Sequence, residues 1–158
     1  MPDFKSMKDL NKYLEKMIAD SMSDVGGKIV ETTQEQVQKD VYDAYKPEEY
    51  RRTMELKNSL VFTPPIRDGE FISTTIMHDT NLIGSYAPNQ HYSVVNGDSS
   101  IHSIAEIVHD GKSGLIFGTG VWTKPRPYFL NAKDLIQKDK IHVKAMKDAL
   151  GKRGINIE

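Results

Sequence analysis

From Phe4 to Tyr45 apolar residues recur every three or four positions, and a pattern that long leaves few folds open. Phe4, Met7, Leu10, Leu14, Met17 and Ile18 make one stripe, with Lys8, Lys12, Glu15 and Lys16 off it. Such spacing belongs to an amphipathic helix. Ser6, with Asp9 three residues on, supplies a capping-box start. Gly26-Gly27 then interrupts the pattern. Two adjacent glycines cost about 2 kcal/mol in a helix interior relative to alanine, so a break or kink is expected there. The stripe resumes with Ile29 or Val30, Thr33, Val37, Val41 and Tyr45, and Pro47 limits the second helix. Two readings of the stripe are open: a core face against a sheet, or a helix–helix contact between subunits.

The pattern then changes to β. Ser59–Thr63 and Glu70–Ile76 are rich in β-branched and aromatic residues, and Pro64-Pro65 and Arg67-Asp68-Gly69 between them are turn chemistry. An antiparallel pair is expected, with Thr80–Ile83 as a candidate continuation. Residues 84–100 are rich in Gly, Ser, Asn and Pro and read as a loop, with room for a brief strand over Tyr92–Val95. Ile101–Val108 suits a short helix or a strand, stopped by Asp110-Gly111. A second loop, Gly118–Pro127, leads to a last helix. Its apolar face is Phe129, Ala132, Leu135, Ile136, Val143, Met146, Ala149 and Leu150, and Gly151 closes it. The order is therefore α+β, not βαβ alternation. It comprises N-terminal amphipathic helices, a small antiparallel sheet of short strands, and a C-terminal helix packed on the sheet. Residues 1–158 form a single domain with a helical part (1–46), a β part with long loops (47–123) and a basic helical part (124–158).

Composition narrows the function. Leu, Ile, Val and Phe make up 38 residues, 24% of the chain, enough for a core but not a generous one. Neighbouring subunits are expected to cover part of the apolar surface. No run of apolar residues reaches the ~18 of a membrane span, and the N-terminus leads into a charged amphipathic stretch, not a signal sequence. With no cysteine there is no disulfide, thiolate nucleophile or Cys-based zinc site. The net charge of −1 gives no global grip on nucleic acid. The charge is divided, however: −2 over 1–60, −4 over 61–123 and +5 over 124–158.

The motifs of catalysis are weak. His78, His91, His102 and His109 fall in the acidic middle, and His78-Asp79 and His109-Asp110 set carboxylates beside imidazoles. A metal hydrolase uses such groups, but their spacing fits no metal motif. Gly111-Lys112-Ser113 resembles the end of a phosphate-binding loop, yet Glu106 stands where the first glycine belongs. Gly118-x-Gly120 is followed by prolines instead of a helix start, and G-x-S-x-G does not occur. The lysines of the last helix alternate with Asp134, Asp139 and Asp148. They suit a solvated face, a contact with an acidic neighbour, or DNA phosphate. Two aromatic and arginine-rich segments remain, Tyr42–Thr53 and Gly118–Phe129. Tyr, Trp and Arg concentrate where proteins bind proteins, and they also anchor loops on a core. Tyr50 and Phe129 fit either role; Trp122 and Arg126, in a Gly/Pro loop, favour an interface.

These segments carry a resemblance. Tyr45-x-Pro47-x-x-Tyr50-x-Arg52-Thr53-x-x-Leu56-x-x-Ser59, then Ala105-x-Ile107-Val108 leading to Gly111, then Arg126-Pro127-x-Phe129-x-x-Ala132, fall in order along nearly the whole chain. The sequence resembles the head–tail joining (neck and tail-component) family of long-tailed bacteriophages. The resemblance implies a non-enzymatic structural protein without a cofactor, assembled in the host cytoplasm into the virion between the filled head and the tail. Its implied partners are head-completion or connector proteins, tail proteins and further copies of itself in a ring, with no membrane and no sequence-specific nucleic acid. It further implies that Arg52 orders the helix-to-strand junction and that Arg126, Pro127 and Phe129 pin a loop onto the last helix. The 84–100 and 112–125 loops would reach adjacent subunits and order on binding. The alternatives are a small metal-dependent phage enzyme using the middle histidines, or a DNA-binding packaging accessory.

Overall fold

The computed structural model describes residues 4–44, 54–83, 104–111 and 124–157. The expected 84–100 loop, residues 112–123 of the expected 112–125 loop, and Tyr45, Tyr50, Arg52, Thr53 and Trp122 lie outside these residues. The architecture is α+β, as the sequence order implied. A long helix α1 (Met7–Val37) runs into a π turn (Gln38–Tyr42), followed by α2 (Glu55–Asn58). Four short strands come next: β1 (Leu60–Phe62), β2 (Ile66–Asp68), β3 (Phe71–Ser73) and β4 (Ile76–His78). Then follow α3 (Thr80–Ile83), α4 (Ile104–Asp110), α5 (Tyr128–Lys138) and α6 (Ile141–Lys152).

The start of α1 is capped as its sequence suggested. The Asp9 amide donates to Ser6 Oγ at 3.2 Å. The Asp9 carboxylate is one methylene too short for the usual reciprocal bond to the backbone and instead accepts from the Ser6 hydroxyl at 2.8 Å. The expected break at Gly26-Gly27 is absent, and the helix runs through both. The reason is packing. A Cβ at Gly26 would lie 2.7 Å from Phe62 Cδ2, so this glycine is where β1 lies down on the helix backbone, whereas Gly27 has nothing within 4 Å. On either side of Gly26 along the buried face, small hydroxyl residues take the place of large apolar ones. Ser21, Thr32 and Thr33 are buried, and their hydroxyls donate to the Met17, Lys28 and Ile29 carbonyls one turn back, at 2.7, 2.9 and 2.8 Å. After Val37 the helix widens by one residue. The Asp43 amide reaches the Gln38 carbonyl, which keeps Val37 and Val41 both in the core.

The strands form two nested antiparallel ladders, not one hairpin. Leu60, Val61 and Phe62 pair with His78, Met77 and Ile76, while Ile66, Arg67 and Asp68 pair with Ser73, Ile72 and Phe71. Residues 70–76 are thus not one strand facing 59–63. Pro64 and Pro65 offer no amide hydrogens, so the ladder stops there and restarts one residue out of register. Thr63 bridges the gap: its amide donates to the Thr75 carbonyl, its hydroxyl accepts from the Thr75 amide, and its carbonyl accepts from the Thr74 hydroxyl. The outer ladder closes through a two-residue loop, with Gly69 at φ +59, as a tight hairpin turn demands. Thr80–Ile83, offered above as a further strand, is a single helical turn, α3.

The C-terminal part is two helices where one was expected. Lys140 adopts φ +52 and separates α5 from α6. Gly151 stays inside α6, and Gly154 at φ +82 is the closing glycine. The Gly154 amide meets the Gly151 carbonyl and the Ile155 amide the Leu150 carbonyl, which together make a Schellman end. Both helices pack chiefly on α1, with the strands on another side of it. Arg153 staples the end of α6 to α1, donating to Asp24 Oδ2 at 2.7 Å and the Asp20 carbonyl at 3.0 Å.

The two glycines give opposite expectations. Gly27→Ala should stabilise the fold by about 1 kcal/mol, the helix-propensity difference. Gly26→Ala should destabilise it by about 1 kcal/mol, because displacing the Phe62 ring outweighs the same gain. Urea midpoints of the two variants check both signs.

Candidate functional site

Four segments meet at one buried tyrosine. Tyr128, the first residue of α5, is fully buried in a core of Val37, Val41, Leu56, Leu60, Ala105 and Val108. Its hydroxyl lies 2.9 Å from His78 Nε2 and 3.3 Å from the Ala105 carbonyl. On the other side of the imidazole, His78 Nδ1 lies 2.7 Å from Ser59 Oγ, which in turn lies 3.0 Å from the Leu56 carbonyl. The end of α2, the end of β4, α4 and α5 are thereby joined by one polar chain. Ring edges complete the packing: His78 stands edge-on to Tyr128 and Phe129, and His109 edge-on to Tyr128.

A count of hydrogens describes the chain's chemistry. Four contacts require four donors. Ser59, Tyr128 and a neutral His78 supply one each, so one contact goes unfilled; an imidazolium would fill all four. Burial opposes that charge and wins, lowering the His78 pKa from 6.5 to about 4. Burial likewise raises the Tyr128 phenol well above its ordinary value. Ser59 is hydrogen-bonded to an imidazole, as a hydrolytic nucleophile would be, but it is 0% exposed and no substrate atom can reach it. The chain acts as a structural tie.

The residues singled out from the sequence divide. Gly111 closes α4 at φ +70, and a Cβ there would lie 2.5 Å from Pro125 N, so the Lys124-Pro125 backbone rests on this glycine. The Arg126 amide donates to the Val108 and His109 carbonyls at 3.2 and 3.1 Å. Pro127 sits at the N-cap of α5, its carbonyl accepting from Asn131. Phe129 packs half-buried against the core. Gly111, Arg126, Pro127 and Phe129 thus come together at the α4–α5 junction. Of the two imidazole–carboxylate pairs, His109 Nδ1 contacts Asp110 at 2.9 Å. His78 turns away from Asp79, which accepts from the Asn81 amide. His91 and His102 lie outside the described residues, among which no group of three or more His, Asp or Glu could hold a metal. Tyr128 is not among the residues singled out from the sequence, and Ser59 enters there only as the end of a motif and the start of a strand. The signal for Tyr128 was present: an aromatic directly after a proline at a helix start.

A second feature is open to solvent. A groove of about 740 Å³ runs between α1, the β4 side of the strands, and α5 and α6. Met22, Val25 and Ile29 form its α1 wall, and Ile136, Val143 and Met146 the opposite one. The α1 wall continues toward the N-terminus as Ile18, Leu14 and Met7, all exposed, Met7 at 71%. The expected stripe therefore exists, but only its C-terminal half is covered. The outer ladder adds more apolar surface. Arg67 faces α1 and bonds Glu15 at 2.6 Å, so Ile66 and Phe71, on the other face, point outward at 61% and 76% exposure.

Taken together, these features define an α+β protein with a buried polar tie and uncovered apolar faces, and with no described catalytic constellation open to solvent. A family model, YomN, matches residues 6–152. The chain belongs to the YomN family, which is phage-derived. No curated protein and no solved structure matches it.

The buried tie makes stability depend on pH. A His pKa lowered on folding means that the unfolded chain takes up the proton first. Stability should fall as pH drops from about 6.5 toward about 4. Replacing His78 with Gln should flatten that part of a urea-midpoint series. Tyr128→Phe should cost about 1–2 kcal/mol at neutral pH, since it strands the imidazole nitrogen and the Ala105 carbonyl.

Proposed function

We propose that the protein is a structural component of a phage particle, joining the DNA-filled head to the tail as one subunit of a ring. Membership of a phage-derived family supports the setting. The observation that carries the structural role is the apolar surface left open on two elements. Met7, Leu14 and Ile18 follow one face of α1, and Ile66 and Phe71 share the outer face of the β2–β3 ladder. A chain that worked alone would gain nothing from exposing a ridge on a helix and a pair of large side chains on a ribbon, whereas an assembly subunit needs both. The division of charge supports the same reading. A −4 middle and a +5 C-terminal part are complementary between neighbouring copies. On this reading the partners are connector and tail proteins together with further copies of the chain. The protein acts in the virion after assembly in the host cytoplasm, by binding and without catalysis.

Light scattering of the purified protein, alone and mixed with the head-connector and tail-tube proteins of its own phage, tests this. A complex or a ring with at least one of them is expected. Ile66→Asp with Phe71→Asp should abolish assembly while leaving the thermal midpoint within a few degrees, because both side chains are already in water. A strictly monomeric protein that binds neither would refute the reading.

A further inference from the structure

The groove beside α1 has a composition that its surroundings do not explain. Among the described residues, every ionisable side chain lining it is basic: Lys133, His142 and Lys147. The chain as a whole carries −1, and acidic residues stand nearby in sequence at Asp134 and Asp148, yet neither lines the groove. Between these basic groups the floor is apolar, and among the described residues Thr33, Thr74 and Gln137 are the only uncharged polar side chains lining it.

Shape and length point to a helix as the occupant. From Met22 to Thr33 the α1 wall is twelve residues long, eleven steps of 1.5 Å or about 16 Å, three helical turns. Met22, Val25, Ile29 and Thr33 recur at helical spacing; Val25 and Thr33 are buried at the base of the wall, and the half-buried Met22 and Ile29 are the ridge a second helix would meet. That ridge continues beyond the walled part through Ile18, Leu14 and Met7, so a longer helix finds more apolar contact along the same line. A compact ligand would gain nothing from that extension.

We propose that the groove receives an amphipathic helix of a partner protein, its apolar ridge laid between α1 and α6 and its acidic flank against Lys133 and Lys147. Charge selects against the exposed start of α1 from a second copy as the occupant. Residues 4–20 carry Lys5, Lys8, Lys12 and Lys16 against Asp9, Glu15 and Asp20, and Glu15 is already held by Arg67. The inference rests on the groove alone and is independent of any place in the particle.

Fluorescence anisotropy with labelled synthetic peptides tests it on the full-length protein. Two 18-residue helical peptides share one leucine ridge; one carries Glu on its flanks, the other Lys. Saturable binding of the Glu peptide is expected, with binding of the Lys peptide at least tenfold weaker. Val143→Asp, a change at an exposed position, should abolish binding without loss of circular dichroism. Lys133→Glu with Lys147→Glu should reverse the preference, so that the Lys peptide binds and the Glu peptide does not. Equal binding of both peptides, indifference to Val143→Asp, or an unchanged preference after the charge swap would each overturn the proposal. So would saturable uptake of oleate in a protein that ignores both peptides, which would make the groove a site for a small amphiphile.

Discussion

The contact between His78 and Tyr128 holds the parts of this fold that the chain itself keeps far apart. Fifty residues separate the two side chains, and the segments they join are each too short to be stable alone. Helix α2 is a single turn, β4 has three residues, and α4 has seven. None reaches the length at which a helix or a two-stranded ribbon persists in water. What fixes them is a fully buried phenol, with apolar contacts around its ring and a hydrogen-bonded imidazole at its tip. The Arg126 amide on the last carbonyls of α4, and Gly111 beneath Pro125, bring α5 to the place where its first residue can enter the core.

Helix α1 is the other organising element, and it is used unevenly. Its C-terminal half carries the packing: Phe62 on Gly26, the C-terminal helices along one side, and Arg153 over Asp24. Its N-terminal half has the same periodicity and little cover. Hydroxyl back-bonding makes the difference possible. Where the helix is buried, Ser21, Thr32 and Thr33 are small enough for close approach and are satisfied by their own turn. Where it is open, the large residues Met7, Leu14 and Ile18 stand out. The N-terminal part of the apolar stripe is thus open surface, while the polar-looking Ser21, Thr32 and Thr33 belong to the buried face together with Val37 and Val41.

That inversion shows what was legible in the sequence. The period of α1, its Ser6 start, the β character of 59–76 and the stop at Gly111 could all be read, because each depends on neighbours a few residues apart. The continuity through Gly26 could not, since it depends on a phenylalanine thirty-six positions away. Nor could the split of the hairpin be placed: Pro64-Pro65 announces a turn equally well at the end of a ribbon or in its middle. The single expected C-terminal helix failed at Lys140, a residue whose type gives no warning of a left-handed backbone. Gly111, Arg126, Pro127 and Phe129 meet at the α4–α5 junction, and His78, weighed as a metal ligand only in the alternative reading, ties core segments together. Spacing along the chain cannot reveal that Ser59 and Tyr128 lie on either side of it.

The shortage of hydrogens in the Ser59–His78–Tyr128 chain has one more consequence. Three hydrogens shared among four contacts can be arranged in more than one way. In one arrangement Ser59 donates to the imidazole and the imidazole to the phenol, which donates to the Ala105 carbonyl. In the other every direction is reversed, ending on the Leu56 carbonyl. The heavy atoms are the same in both, but the dipole along the chain points the opposite way. The interior of this small protein therefore admits two opposite dipoles between α2 and α4 on one set of heavy-atom positions.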